Sequence, residues 1–496
     1  MSTVESLVLT VSSETSNETM RSNGTPPEVG HARRHLTREI APESLGSPLF
    51  KTNYGIKYAY LCGAMYKAIA SQQLVVNLAR AGLMGYFGTG GLSLTEIEAA
   101  IYGIQSELRA KQAYGMNLLC DLEQPDLEES TVDLYCRHGI HYIEAAAYVV
   151  ITPSLVRYRV KGLSLDPNGN LKCANRILAK VSRPEVASLF MQPPPERVVK
   201  ALLAAGRVSA TEAQLACRIP MANEICVEAD SGGHTDRGVA YALMPVVLAL
   251  RAEMMAKYRY ESPIHVGAAG GIGAPQAAAA AFVMGADFVL TGSINQCTVE
   301  AGTSNAVKDL LQDINVQDTA YAPAGDMFEL GAKVQVLKRG SFFAARANKL
   351  YELYQRYNCL EDIDGETRIQ IESKFFRRSF EEVWNEAMVH HVHTNSAEAE
   401  KIKASPKRRM AAVFKWYFFH TTQLALAGST EQSSDYQVHC GPALGAFNQW
   451  VKGTELESWR RRRVADIAEC IMRGTAGLLS DRLRSFTELS PGSRSH

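Results

Sequence analysis

Residues 228–236 read EADSGGHTD and follow the apolar run ANEICV. His234 carries a ring whose ordinary pKa lies near neutrality, which suits proton transfer; the alternative is a histidine that caps a turn. A plain turn needs one glycine, so the pair Gly232-Gly233 points to a ligand lying close to the backbone. Asp230 and Ser231 either meet that ligand or cap the following helix. Lys180, in LAKVSRP, sits inside an otherwise apolar strand pattern. A buried ammonium there needs a negative partner, unless the lysine lies at the strand end and reaches water. Asn117 closes the apolar run YGMNLL and can bond a planar ligand edge or its own turn.

A second constellation begins at VGAAGGIGAPQAAAAAF (266–282), a strand, a glycine-rich turn and a helix. Such a turn aims backbone N–H groups at an anion, and the helix N-terminus adds partial positive charge. Its spacing matches neither the dinucleotide-binding nor the P-loop fingerprint, and by itself it is equally a tight βα turn. The next unit, GADFVLTGSINQ (285–296), ends a strand in Gly292-Ser293. Two successive strands ending in Gly270-Gly271 and Gly292-Ser293 form a two-sided cradle, and (β/α)₈ barrels commonly bind phosphate after strands seven and eight.

These residues need a frame that brings strand ends together. From Lys51 to Pro323, short apolar runs alternate with amphipathic or Ala-rich helical patterns. The strand candidates are AYGMNLL, YIEAAAYVV, RILAKVS, EICVEAD, SPIHVGAAGG and ADFVLTGS. This alternation predicts a parallel sheet, closed as a (β/α)₈ TIM barrel or open and doubly wound. Beyond Pro323, segments such as RRSFEEVWNEAMVHH have helical spacing. The predicted organisation is a flexible tail over 1–45, a barrel over 46–330, a mostly helical C-terminal region over 331–482 and a second flexible tail over 483–496.

Composition bounds the function. Lys+Arg and Asp+Glu number 52 each, so the whole chain has no electrostatic footprint for nucleic acid or an anionic membrane. The ten cysteines are scattered singly with no C-x-x-C pair, against a zinc site or disulfide framework and consistent with a reducing cytoplasm. No apolar run reads as a membrane span, and the N-terminus does not read as a secretory signal. HHVH (390–393) is a single cluster and reads as a solvated helix end; RRRR (460–463) and KRR (407–409) read as charged helix faces.

The blocks SGGHTD, GAAGGIGAPQAAAAAFVMGADFVLTGSINQCTVEAGTS, APAGDMFELGAKVQVLKRGSFFAARANKLYELY and DYQVHCGPALGAFNQWVKGTEL resemble the PfaD-type trans-acting enoyl reductases. Those serve polyunsaturated fatty acid synthases and polyketide synthases whose acyltransferases act in trans, within the nitronate monooxygenase (2-nitropropane dioxygenase) superfamily. The resemblance covers about residues 45–480, and DYQVHCGPALGAFN is its most specific part. It implies an FMN-binding (β/α)₈ barrel using NADPH or NADH as hydride donor. The FMN phosphate would sit against Gly270, Gly271, Gly292 and Ser293. Gly63 and Met65 in CGAMY, Asn117 and Lys180 match positions near the flavin; Ser231 stands where relatives often carry Ala, next to Gly232 and Gly233; His234 matches the active-site histidine. The implied partners are acyl carrier protein domains presenting an enoyl thioester, and a homodimer is left open. KVQVLKRG (333–340) is a candidate surface for the acidic carrier, or an ordinary basic helix. In FKWYFFHTTQLALAG (414–428), Lys415 replaces the arginine of the family pattern, so carrier contacts are not carried over to that segment. The alternatives are a nitronate monooxygenase with the same cofactor and a non-catalytic synthase scaffold.

Overall fold

The computed structural model describes residues 39–109, 112–120, 124–394 and 396–488, the side chains of 390–398 and 487–488 excepted. Eight parallel strands close a barrel: β1 Tyr60–Cys62, β2 Met84–Phe87, β3 Gly115–Leu119, β4 Tyr142–Ala146, β5 Arg176–Val181, β6 Glu224–Glu228, β7 His265–Ala269 and β8 Val289–Thr291. Each strand pairs with its sequence neighbours, and β1 pairs with both β2 and β8. The strands are short and almost wholly buried, as expected where helices cover the outside and side chains fill the inside. The open-sheet alternative is thereby excluded.

Helix starts are written locally. Ser71 and Ser93 cap the helices Gln72–Arg80 and Leu94–Glu107, the latter with a reciprocal capping box through Glu96. Prolines open Pro125–Arg137, Pro153–Val160, Pro184–Met191 and Pro275–Val283, where the missing N–H costs nothing. The short helix Pro48–Tyr54 plugs the N-terminal end of the barrel. Phe50 stacks on Phe288 at 4.5 Å, and the Tyr54 hydroxyl donates to Glu224, which also pairs with Arg176.

The helical region lies C-terminal to all eight strands, and its last helix returns to the barrel. Val464–Glu488 packs against Pro275–Val283 and Gln72–Arg80, the helices after β7 and β1. It thus occupies the eighth place of the helical ring, and residues between β8 and Val464 form an insertion. This insertion has its own core around Phe328, Phe343, Phe414 and Phe418. It is not entirely helical. Thr319–Pro323, Lys333–Leu337 and Gly233–His234 form an antiparallel sheet, so Lys333–Leu337 is a strand rather than a basic helix.

Both tail boundaries move outward. The Ile40 N–H donates to Ser480 Oγ and Leu45 is buried, while the last helix runs through 483 to Glu488. Residues 1–38 lie outside the described ones. RRRR is not one helix face: residues 459–461 form a single 3₁₀ turn, Arg462 is buried against the Leu456 and Glu457 carbonyls, and the helix starts at Val464. KRR does open a helix, Pro406–Ala427, where Arg409 pairs with Glu381. HHVH lies on the helix Phe380–Thr394, its side chains outside the described residues. The described cysteines are all free, no group of metal-ligating side chains is found among the described residues, and none of their helices is long and apolar enough to cross a membrane.

Candidate active site at the barrel mouth

The C-terminal strand ends bring together residues up to about 230 positions apart in the chain. On β5, Lys180 sends its ammonium to Glu228 of β6 at 3.1 Å and to Glu144 of β4 at 3.8 Å. Its side chain is 17% exposed and that of Glu144 only 1%. Of the two readings of Lys180, the partnered one holds. Burial alone lowers the ammonium pKa, but Glu228 and Glu144 outweigh it and raise Lys180 above the ordinary lysine range. Burial also lifts the Glu144 carboxyl, against the pull of Lys180 and of the Ala64 N–H that donates to it at 3.0 Å. Lys180 is therefore a fixed cation at neutral pH and not a base.

Asn117 lies buried on β3. Its Nδ2 donates to the Glu144 carbonyl at 3.0 Å, which ties it to the neighbouring strand. Gly63 continues β1, with its N–H on the Thr291 carbonyl of β8 at 2.9 Å. Met65 follows in a loop whose Lys67 and Ala68 take left-handed φ values of 53° and 54°, uncommon for residues with a Cβ. Ser231 donates to Glu228 at 3.1 Å, and Asp230 is held by Thr235 and Tyr321. Neither caps the next helix, which begins only at Ala240.

The paired glycines answer to two demands. A Cβ on Gly232 would stand 2.7 Å from Gly441 N, so the 439–441 segment lies directly on it, while Gly233 adopts φ +83°. His234 then enters the antiparallel sheet opposite Val334. Its Nε2 lies 2.9 Å from Asp326 Oδ1, and its side chain is 48% exposed. Burial opposes protonation of His234, but the hydrogen bond and charge of Asp326 prevail and raise its pKa. The same contact lowers the Asp326 carboxyl against its own burial.

The glycine cradle fits a phosphate. Gly270 and Gly271 have φ +81° and +74°, and a Cβ on Gly271 or Gly292 would meet nothing within 4 Å. The helix Pro275–Val283 starts just past Gly271 with no side-chain cap, which leaves the positive end of its dipole without a side-chain partner. Ser293 Oγ accepts the Gly441 N–H at 3.0 Å.

Several residues of this site are not singled out by the sequence pattern. Glu144 and Glu228 are acids in apolar strand patterns, the same signal that marks Lys180. Asp326 gives no local signal. Nor does His439 stand out, although it lies within DYQVHCGPALGAFN. Its ring stacks on Tyr66 at 5.2 Å, and burial with the nearby His234 charge pushes its pKa down to about 4.

Such a barrel, with a backbone cradle at the last two strands and a titratable pair at its mouth, defines a class. The nitronate monooxygenase family model matches residues 48–336, and the chain belongs to that family. Residues 357–436, inside the insertion, match a second model, the inserted helical domain of acyl-carrier-protein S-malonyltransferase. The polyketide biosynthesis protein PksE of Bacillus subtilis is 56% identical over 92% of this chain and 59% of its own length. A polyunsaturated fatty acid synthase polypeptide of Thraustochytrium is 40% identical over 87% of this chain and 30% of its own length. The chain thus spans less than two thirds of the length of these relatives. A crystal structure of the enoyl reductase domain of MlnA, from the macrolactin biosynthesis cluster of Bacillus amyloliquefaciens, superposes with a TM-score of 0.86 at 46% identity, covering 89% of this chain and 99% of that one. FabK of Thermotoga maritima, at 17% identity and a TM-score of 0.51 over 88% of this chain and 98% of its own, shares the fold. Within the family, the chain is of the PfaD type that its sequence blocks resemble.

Proposed function

We propose that this chain reduces the α,β-double bond of enoyl thioesters carried on acyl carrier protein domains, using FMN and NADPH or NADH, in polyketide or polyunsaturated fatty acid assembly. The observation that carries this reading is the His234–Asp326 pair, near the Lys180 cluster and after the strand next to an open glycine cradle. The close likeness to an enoyl reductase domain supports it.

In this reading Gly270, Gly271, Gly292 and Ser293 hold the FMN phosphate, and Gly63, Met65, Asn117 and Lys180 lie along its ring. Ser231, Gly232 and Gly233 set the backbone against the ligand. The flavin, when bound, supplies the two-electron chemistry between nicotinamide and the enoyl Cβ. The protein supplies position and charge. Lys180 keeps its charge beneath the mouth and holds the Glu228 and Glu144 carboxylates in place there. Asp326 keeps a proton on His234, which delivers it to Cα. The open cradle and the charged pair count against an inert scaffold.

The test is anaerobic. The purified protein, supplied with FMN, is followed by its visible spectrum on addition of NADPH and then of a crotonyl thioester. Bleaching by NADPH and recovery with the thioester are expected. The match to the nitronate monooxygenase model favours one rival reading, and turnover of a nitronate without NADPH, with no response to the thioester, would establish it instead.

A further inference from the structure

Two imidazoles, not one, border the mouth. Val334 pairs with His234, and Val336, two residues on along the same edge, pairs with His439. Directly opposed residues share a face of a sheet, and so do residues two apart. His234 and His439 therefore project from one face as neighbours, about 7 Å apart at their Cα atoms. They come from opposite ends of the fold, one from the loop after β6 and the other from the end of the insertion.

The His439 ring is locked. It stacks on Tyr66, and the Gly441 N–H two residues on is tied to Ser293 Oγ. Gln437 Nε2 lies 2.8 Å from His439 Nε2, and the other end of the same amide faces Thr421, whose hydroxyl donates to the Tyr417 carbonyl at 2.8 Å. With the amide nitrogen turned to the ring it donates, His439 Nε2 accepts and Nδ1 carries the proton. Nδ1 lies on the side of Gly233, 3.8 Å from where a Cβ on that residue would stand. The two rings thus divide their roles. His234 is paired with a carboxylate, while His439 is paired with a neutral amide and kept uncharged beside it.

Resting on the reductase reading, we propose that His439 donates its Nδ1–H to the thioester carbonyl oxygen while His234 supplies the proton to Cα. The reductant is the reduced nicotinamide named above. As hydride joins Cβ, the Cα–Cβ π bond breaks and its electron pair moves onto the carbonyl oxygen, where the Nδ1–H meets it. The pair returns when Cα takes the His234 proton, and His234 is reprotonated from solvent. Lys180 is less suited to this task, since Glu228 and Glu144 already engage its ammonium.

The test separates a hydrogen-bond donor from a packing ring. His439→Asn puts an amide N–H where Nδ1–H stood; His439→Phe keeps the ring and removes the donor. H439F is expected to slow thioester reduction by about 100-fold or more with KM within about 3-fold, and H439N to stay within about 10-fold of wild type. Reduction of the flavin by NADPH stays unchanged in both. Equal losses in H439F and H439N, or loss of the NADPH step, would overturn the role. Independently of activity, ¹⁵N-histidine NMR of the wild type should show His439 neutral and protonated on Nδ1 between pH 6 and 8; a ring protonated on Nε2 alone, or on both nitrogens, overturns the proposal. A wild type inert to enoyl thioesters but with the expected tautomer sinks the reductase reading and the substrate assignment with it. An active wild type whose H439N is no better than H439F sinks the His439 role alone.

Discussion

Replacing Lys180 by Met removes the cation shared by Glu228 and Glu144 while keeping most of the apolar stem. Breaking a buried pair by deleting one partner typically costs about 3–5 kcal/mol, because the other charge is left uncompensated. Here the partners differ. Glu144 is 1% exposed and has no outlet to water, whereas Lys180 and Glu228 are 17% and 21% exposed. The lower end applies, about 3 kcal/mol, or a lowering of the unfolding temperature on the order of 5 °C. The pH dependence has a definite sign. Glu144 has a raised folded pKa, so between its unfolded and folded values the native state holds the extra proton and stability falls as pH rises. Without Lys180 the folded value climbs further, so K180M is penalised more at pH 8 than at pH 5. The double variant K180M/E144Q removes the orphaned charge and should recover at least about 1 kcal/mol. Urea unfolding of the four proteins of this cycle, at pH 5 and pH 8, measures every quantity. A K180M whose loss is the same at both pH values, or is not relieved by E144Q, would refute the claim that the cluster is a buried charge held by one cation.

Asp326→Asn should move the basic limb of the kcat/KM profile for a crotonyl thioester to lower pH, because the carboxylate that raises the His234 pKa is gone. The stability that this pair adds is complete below the ordinary histidine value and fades as pH rises through the raised one, so D326N should lose stability at pH 5.5 and little at pH 9; a profile unmoved by the substitution counts against His234 as the proton donor. Gly271→Val puts a branched side chain at φ +74° and into the open cradle, and should weaken FMN binding at least about 10-fold by equilibrium dialysis while the far-ultraviolet circular dichroism is kept; wild-type affinity would remove Gly271 from the phosphate site. Replacing Lys338 and Arg339, both exposed just past the Lys333–Leu337 strand, with Glu should weaken binding of an acidic carrier protein and spare flavin content; unchanged carrier affinity places the docking surface elsewhere.

What is legible in the sequence follows from the range of the interactions. Lys180 stands out because a charge inside an apolar strand violates a local pattern, and the structure supplies the acids that such a charge requires. The cradle is legible because a strand, a glycine turn and a helix are contiguous. Six of the eight strands coincide with apolar runs of the sequence. β1 and β2 do not, since YLC and MGYF are too short to show a period, and Gly82, Gly85 and Gly88 break up the second. KVQVL alternates as a strand should, yet its basic flank draws it toward a helix. Its pairing with Gly233–His234 and Thr319–Pro323 is a long-range fact. Asp326 lies 92 residues from His234 and His439 lies 205 residues away, so no window on the sequence contains either pair.

The insertion explains why the His234–Asp326 pair cannot be read from the barrel alone. In a plain (β/α)₈ barrel, a histidine after β6 would sit on a free loop. Here Gly233–His234 has become the edge of a sheet whose other strands belong to the insertion, and Gly232 lacks a Cβ so that residues 439–441 can lie on it. The same residues reach Ser293 at the cradle through the Gly441 N–H. One short segment of the insertion therefore touches the backbone beside His234 and the Ser293 hydroxyl just past β8. In the proposed reading these are the proton-handling and anion-binding halves of the mouth, and residues 439–441 touch both. A change that loosens 439–441, such as a side chain at Gly232, should disturb both halves together, whereas a change confined to Asp326 should disturb only the first.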